Sequence, residues 1–236
     1  MLANLLLGVL PERERRRIVP YCETVQLQPR TTLIEPESPV ECVWFPHAGV
    51  CSNLIHVQGG EAVEVGLVGR EGMVGLPLVL GGFANPFHVI VQQGGVATRI
   101  AREPFTHEVL DAGHPFCTAL LKYANLFLST VAQTAACNRL HRIEQRLSRW
   151  LLDMRARTDS PDLAVTHELL GLMVGAYRPS VTNALKAFEE RGLIRVARGH
   201  LILLNEAALA GEACECHDAI QKRTERTLDN IRSMAA

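Results

Sequence analysis

The 236-residue chain contains no apolar run approaching the roughly 18–20 residues that span a bilayer, which excludes a membrane-crossing helix as its organising feature. Its start, Met1 to Leu10, is apolar but lacks the basic leader and small-residue cleavage site of a signal peptide. The expected location is therefore the cytoplasm. Seven cysteines, at 22, 42, 51, 117, 137, 214 and 216, are scattered and odd in number, which excludes the dense paired framework of a small secreted scaffold and points to reduced thiols. No phosphate-binding loop, nucleophile elbow or pair of catalytic carboxylates is present, so an enzyme is not the expectation. Internal repeats and low-complexity tracts are also missing.

Charge of one sign is lacking as well: the formal net charge is −1. Its distribution is uneven. Residues 1–138 carry nine Lys/Arg against twelve Asp/Glu (−3), residues 139–205 eleven against seven (+4), and residues 206–236 four against six (−2). A polyanionic partner would be met by the middle of these three segments.

That segment also holds the most informative pattern. Thr166 precedes the short helical run His167–Val174 and is placed to cap its first turn. Gly175 breaks the run, and a second helix is expected from about Arg178 to Arg191, with Pro179 in its first turn where a missing N–H costs nothing. Val181, Ala184, Leu185 and Phe188 follow the i, i+3, i+4, i+7 spacing of a buried stripe. Pro179, Asn183, Lys186 and Glu190 fall on the opposite face, flanked by Ser180 and Thr182. After Gly192, Leu193–Ala197 and His200–Leu204 alternate as two strands around a turn at Arg198–Gly199. The pattern is a helix-turn-helix followed by a wing. Arg178, Pro179, Ser180, Thr182 and Asn183 would meet base edges, and Lys186, Arg195, Arg198 and His200 phosphates, with Thr166 at the start of the first helix.

Upstream, from about Thr24 to Arg102, short β-rich runs (43–45, 50–57, 62–68, 88–92 and 96–100) alternate with turn signals at Gly59–Gly60, Gly69–Gly72, Gly81–Gly82 and Gly94–Gly95. Strands so spaced suggest an antiparallel sandwich or jelly roll, preceded by a short helix near Pro11–Pro20. A long helix comes next, from about Pro115 to Cys137. Leu121, Ala124, Leu128, Val131, Ala135 and Asn138 recur along it as a heptad seam. One broad core-facing stripe explains this pattern equally well; the need for two reading heads on two half-sites favours a dimer seam. A further helix is expected from Asn138 to about Arg157, then a polar turn at 158–162, and a terminal helix from Glu206 to Ala236. The fold class is thus α+β, divided as a β-roll sensor over 1–113, a dimerisation helix over 114–138, a winged helix-turn-helix over 139–205 and a helical tail over 206–236.

With this order of parts, the chain resembles the Crp/Fnr family of bacterial transcription regulators over about residues 5–205. The segments that carry the resemblance are Gly66-Leu67-Val68-Gly69-Arg70-Glu71-Gly72-Met73-Val74-Gly75, Arg146-Leu147-Ser148-Arg149-Trp150-Leu151-Leu152, and Val174 to Ile194. The resemblance implies a homodimer joined along the long helix that binds double-stranded DNA at a palindromic operator, with RNA polymerase a further partner open to it. It also implies that Arg178 contacts bases, although the acidic position beside it is Pro179 and the second arginine of some members is Asn183. The same family's cyclic-nucleotide cassette places a glutamate after a glycine and an arginine further on. Here Leu76 follows Gly75, and Asn85-Pro86-Phe87-His88 holds no arginine. A buried phosphate without a cation is costly, so the expectation is that cAMP is not a tight ligand. The effector is unknown; the candidate pocket lies near Gly69, Glu71, Gly75, Leu76, Phe87 and His88.

Two cysteine groups offer alternatives as redox or metal sensors. Cys214-Glu215-Cys216-His217 supplies two thiols and an imidazole but no fourth ligand, and on a helix residues 214 and 216 point about 200° apart. Cys42 and Cys51 flank an expected β-turn containing Pro46. Structural thiols are the preferred reading of both groups, and no cofactor or resident metal is expected. A more remote alternative is a β-sandwich metalloenzyme using His47, His56 and His88, but the close His-x-His pair of such a site is missing.

Overall fold

The computed structural model describes residues 4–58, 61–111 and 115–234. Two short helices, α1 (Leu5–Gly8) and α2 (Glu12–Ile18), open the chain. Asn4 ties this start to the β-rich region: its Oδ1 accepts from the N–H groups of Leu6 and Leu7, and its Nδ2 donates to the carbonyls of Pro46 and Gly72. The roll is built from β1 (Glu23–Leu27), β2 (Thr32–Ile34), β3 (Ser38–Pro39), β4 (Cys42–His56), β5 (Ala62–Val68), β6 (Ala84–Asn85) and β7 (His88–Ala101). Its main sheet runs in the order β1-β7-β4-β5, with β2 also beside β7, and β3 pairs with β6 apart from it. Every pairing is antiparallel.

The roll differs from the sequence expectation in one instructive way. Residues 43–45 and 50–57, read as separate strands, are one bent 15-residue strand, and 88–92 and 96–100 are likewise one strand of 14 residues. Gly94–Gly95 is no turn. It lies inside β7 where the pairing with β4 shifts register, and a Cβ on Gly95 would stand 2.1 Å from the Ala48 carbonyl oxygen. Glycine there permits backbone contact rather than reversal. The ladder shifts register between Pro46 and Cys51, which bends both strands enough to close the roll. Gly69–Gly72 does turn, with the Gly72 N–H donating to the Gly69 carbonyl, whereas Gly59–Gly60 lies outside the described residues.

A short helix α3 (Arg102–Phe105) and a π turn (Thr106–Leu110) lead to the long helix α4 (Pro115–Leu140). Phe116, Leu120, Tyr123 and Phe127 of α4 pack with Phe45 and Phe105 in the roll's core. Asn138, expected to start the next helix, lies inside α4; the break comes at His141–Arg142, before α5 (Ile143–Arg155). Beyond it come β8 (Asp162–Leu163), α6 (His167–Val174), α7 (Arg178–Glu190), β9 (Ile194–Ala197), β10 (His200–Leu203), α8 (Glu206–Glu212) and α9 (Cys216–Arg232). The segment read as a polar turn therefore ends in a strand. Leu163 is fully buried and pairs with Leu201, adding a third strand to the wing. The tail is two helices, not one, with Ala213 in an extended conformation between them.

A second core, around Trp150, Leu151, Leu170, Val181, Leu185 and Phe188, draws in Val50, Leu54 and Leu67 from the roll. Polar contacts cross the same boundary: Trp150 Nε1 donates to Glu64 at 2.9 Å and Arg157 pairs with Glu71 at 2.7 Å. The helix-turn-helix is thus packed directly on β4 and β5.

Candidate nucleic-acid interface

The sequence of α6 and α7 explains their crossing. Thr166 caps α6, its Oγ1 accepting from the Leu169 N–H at 3.2 Å. Gly175 ends α6 in the left-handed conformation (φ 59°), and the Ala176 N–H closes the last turn on the Gly171 carbonyl at 2.8 Å. α7 then starts with Arg178 and Pro179. Its stripe of Val181, Ala184, Leu185 and Phe188 is buried as spaced, and each large side chain contributes about 1.5–3 kcal/mol of burial. The opposite face, its flanks and the first turn are exposed: Arg178, Pro179, Ser180, Thr182, Asn183 and Lys186 all reach solvent.

The wing stands beside this face. The Val196 N–H donates to the Glu189 carboxylate at 2.8 Å, fixing β9 against the end of α7. A groove of about 420 Å³ runs between the wing and the start of α6, lined among others by Thr166, His167, Arg198 and His200, with Arg178 from the N-terminus of α7 at its side. Arg178, Arg195 and Arg198 make no side-chain hydrogen bond or ion pair among the described residues, so their charge faces solvent undiminished. Lys186 sits 3.7 Å from Glu190 on the exposed side of α7. Two expected contacts are otherwise engaged. The Thr182 hydroxyl donates to the Arg178 carbonyl and also meets His167 Nδ1, and His200 Nδ1 pairs with Asp162 at 3.0 Å. His167 and Asp162 were not picked out by sequence. Nothing local marks them, because their partners lie 15 and 38 residues away.

Residues 145–212 match the model of the Crp-like helix-turn-helix domain. The reading head is a Crp-like helix-turn-helix. The chain around it has the fold of the Crp/Fnr regulators. FixK2 from Bradyrhizobium japonicum is similar at a TM-score of 0.69 and 13% identity, over 82% of this chain and 98% of that one. A transcriptional regulator of the crp/fnr family from Eubacterium rectale has the same TM-score at 16% identity, over 92% and 97%. The c-di-GMP responsive global regulator CLP from Xanthomonas campestris gives 0.65 at 16%, over 81% and 98%. At these identities the likeness is one of fold. No curated protein matches the chain closely enough to serve as a relative.

Along α4, upstream of the Crp-like head, the seam positions divide. Leu121, Leu128 and Ala135 are exposed, Val131 and Asn138 half-buried, and Ala124 buried against the roll. Leu128 is 67% exposed, a large apolar surface for an isolated chain. With Leu76, Pro77, Leu80 and Phe87 of the roll, Leu121 and Leu128 border an apolar groove of about 490 Å³. α9 packs on another side of α4, where Arg223 donates to the Ser129 carbonyl and Gln133 to the Cys216 sulfur.

The six candidate effector positions do not converge on one cavity. Gly75, Leu76 and Phe87 border a space of only about 10 Å³ inside the roll, closed by Asn53, Asn85 and Phe127. That is about the size of a single water site. Glu71 accepts from the Gly69 N–H and pairs with Arg157, so its carboxylate faces the reading head. His88 bonds to Thr32 and His56 on β2 and β4.

The two cysteine groups read from sequence also come apart. Cys42 and Cys51 lie in one strand, nine residues apart with Pro46 between them and no turn, so a disulfide is geometrically excluded. Cys51 is fully buried, which pushes its thiol up to about 12. His217 leaves the Cys214–Cys216 group and reaches Asp153 at 3.2 Å. Burial works against ionisation of Asp153, but the hydrogen bond from His217 and the charge of Arg149 outweigh it and hold the carboxyl below its ordinary range.

Proposed function

We propose that the chain is a homodimeric, sequence-specific transcription regulator that binds a palindromic operator without requiring cAMP. The observation that carries this reading is the exposed face of α7 beside the wing: Pro179, Asn183 and Lys186 lie along it and Arg178 stands exposed at its N-terminal end, with Arg195 and Arg198 uncompensated on the adjacent strand and tip. Arg178 at the helix N-terminus would read base edges, and Lys186, Arg195 and Arg198 would neutralise phosphates. A palindrome requires two copies of this face, and the unburied Leu121–Leu128–Ala135 stripe of α4 is suited to join them. Against a cyclic nucleotide stand the small closed cavity and the engagement of Glu71 by Arg157.

Selection of bound sequences from a random duplex library tests the reading. An inverted repeat with half-sites about one helical turn apart is expected, and retention of no sequence above background would sink it. Arg178→Ala is expected to cost about 1–3 kcal/mol on the selected site and to relax preference at one base pair per half-site. Removing Arg195 or Arg198 should instead weaken all sequences alike and flatten the salt dependence of binding.

A further inference from the structure

Four potential ligands that are far apart in sequence meet behind the reading head. Cys137 and His141 lie one helical turn apart at the end of α4, so they share a face. Cys214 and Cys216 flank the break between α8 and α9. There Ala213 is extended and the His217 N–H turns back to the Cys214 carbonyl at 3.0 Å, so the two thiols point the same way despite their spacing. The three Sγ atoms and an imidazole nitrogen of His141 all lie within 4.8 Å of one another. Cys137 Sγ is 3.5 Å from Cys214 Sγ, and Cys216 Sγ is 3.7 Å from His141 Nδ1. Four ligands about 2.0–2.3 Å from one tetrahedral zinc ion stand about 3.5–3.8 Å from each other.

We propose that Cys137, His141, Cys214 and Cys216 form a closed mononuclear site for a thiophilic divalent cation of the zinc class. The surroundings fit that ligand set. With Nδ1 turned to the sulfurs, His141 Nε2 is left to Glu215 Oε1 at 3.2 Å, the imidazole–carboxylate arrangement that orients metal-bound histidines. Gln133 Nε2 donates to the Cys216 sulfur at 3.1 Å, as outer donors do to bound thiolates. Three thiolates around a divalent ion leave one negative charge, and the buried Arg149 guanidinium, which also pairs with Asp153, lies beside Cys137 and offsets part of it. The cysteines are at most 4% exposed and four protein ligands complete the tetrahedron, so no position is open for a substrate. Ligand atoms this close leave room for one ion and not for an iron–sulfur cluster. The site spans the α4–α5 junction and the start of α9, so the ion would pin the tail to the helix that positions the reading head.

The test is elemental analysis of the untagged full-length protein purified without oxygen, which should contain about one zinc per chain. Cys214→Ser and His141→Gln should each fall to about a tenth of that or less, whereas His217→Gln should keep the metal. Cobalt(II) reconstitution of the wild type reads the ligand set without relying on the folding of any variant. Intense ligand-field bands of a tetrahedral ion with thiolate-to-cobalt charge transfer are expected. Metal-free protein with all thiols titratable would overturn the proposal. So would iron with acid-labile sulfide, a Cys137–Cys214 disulfide in the anaerobic protein, or loss of metal from His217→Gln as complete as from Cys214→Ser.

Discussion

Glu64 shows how a single buried side chain couples the two halves of the molecule. It lies on β5, receives hydrogen bonds from Ser52 at 2.7 Å and Trp150 at 2.9 Å, and is fully buried between roll and head. Burial raises its carboxyl from an ordinary value near 4.5 to about 7, more than its two hydrogen bonds and the nearby Arg149 and Arg157 lower it. The folded state therefore holds a proton that the unfolded chain gives up, so its contribution is complete below about 4.5 and is lost as pH rises through about 7. Replacing it with glutamine keeps a hydrogen-bonding carbonyl and removes the ionisation. Thermal or urea unfolding between about pH 5 and pH 8 should show Glu64→Gln gaining on the wild type by up to roughly 3 kcal/mol. Parallel stability curves would rule the coupling out. No sequence pattern singles out Glu64, because alternation along 62–68 marks it only as one polar residue in a strand.

At the scale of elements, α4 has two neighbours and one open side. One side packs on the roll through Phe116, Leu120 and Phe127, another meets α9, and a third carries Leu121, Leu128 and Ala135 into solvent. The heptad spacing was legible in the sequence, but periodicity could not say which stripe stays open. That depended on α9, whose packing needs the break at Ala213 that helix propensity alone does not mark. Leu128→Lys places a charge in the centre of the open stripe and touches no core. On the proposed reading the wild type sediments as a dimer and the variant as a monomer at the same concentration, with an unchanged melting profile extrapolated to low concentration. A monomeric wild type would overturn the proposed dimer, and a dimeric Leu128→Lys would overturn the α4 seam. The reading head was the most legible element, because capping, breaking and burial within 166–204 are local events. The roll was legible in kind but not in strand count, since a glycine pair that signals a turn in sequence sits at an irregularity inside one long strand. The four-residue thiol and imidazole group was half visible: Cys214 and Cys216 were marked, while Cys137 and His141 come from another helix about 75 residues away.

For the whole molecule, shared apolar packing and polar contacts bind the two halves together. Reading head and roll share a core and are bound by Glu64–Trp150 and by the Arg157–Glu71 pair, so they behave as one body in a single chain. Calorimetric titration with cAMP should accordingly give no heat attributable to binding at micromolar ligand, and the melting temperature should not move. A saturable micromolar isotherm would contradict the proposed independence.

The closed space behind Phe87 and Phe127 has a consequence for control of expression. With that interior filled by its own side chains, the roll leaves room for a ligand not inside but in the open groove beside α4, and a partner seated on Leu121 and Leu128 would cover that groove. On the proposed reading the regulator's activity would follow its abundance: dimer, and with it operator occupancy, would rise faster than in proportion to the amount of chain made, by mass action alone. The synthesis and turnover of the protein would then do the work that a diffusible ligand does elsewhere, and promoter strength upstream of its own gene would become the dial.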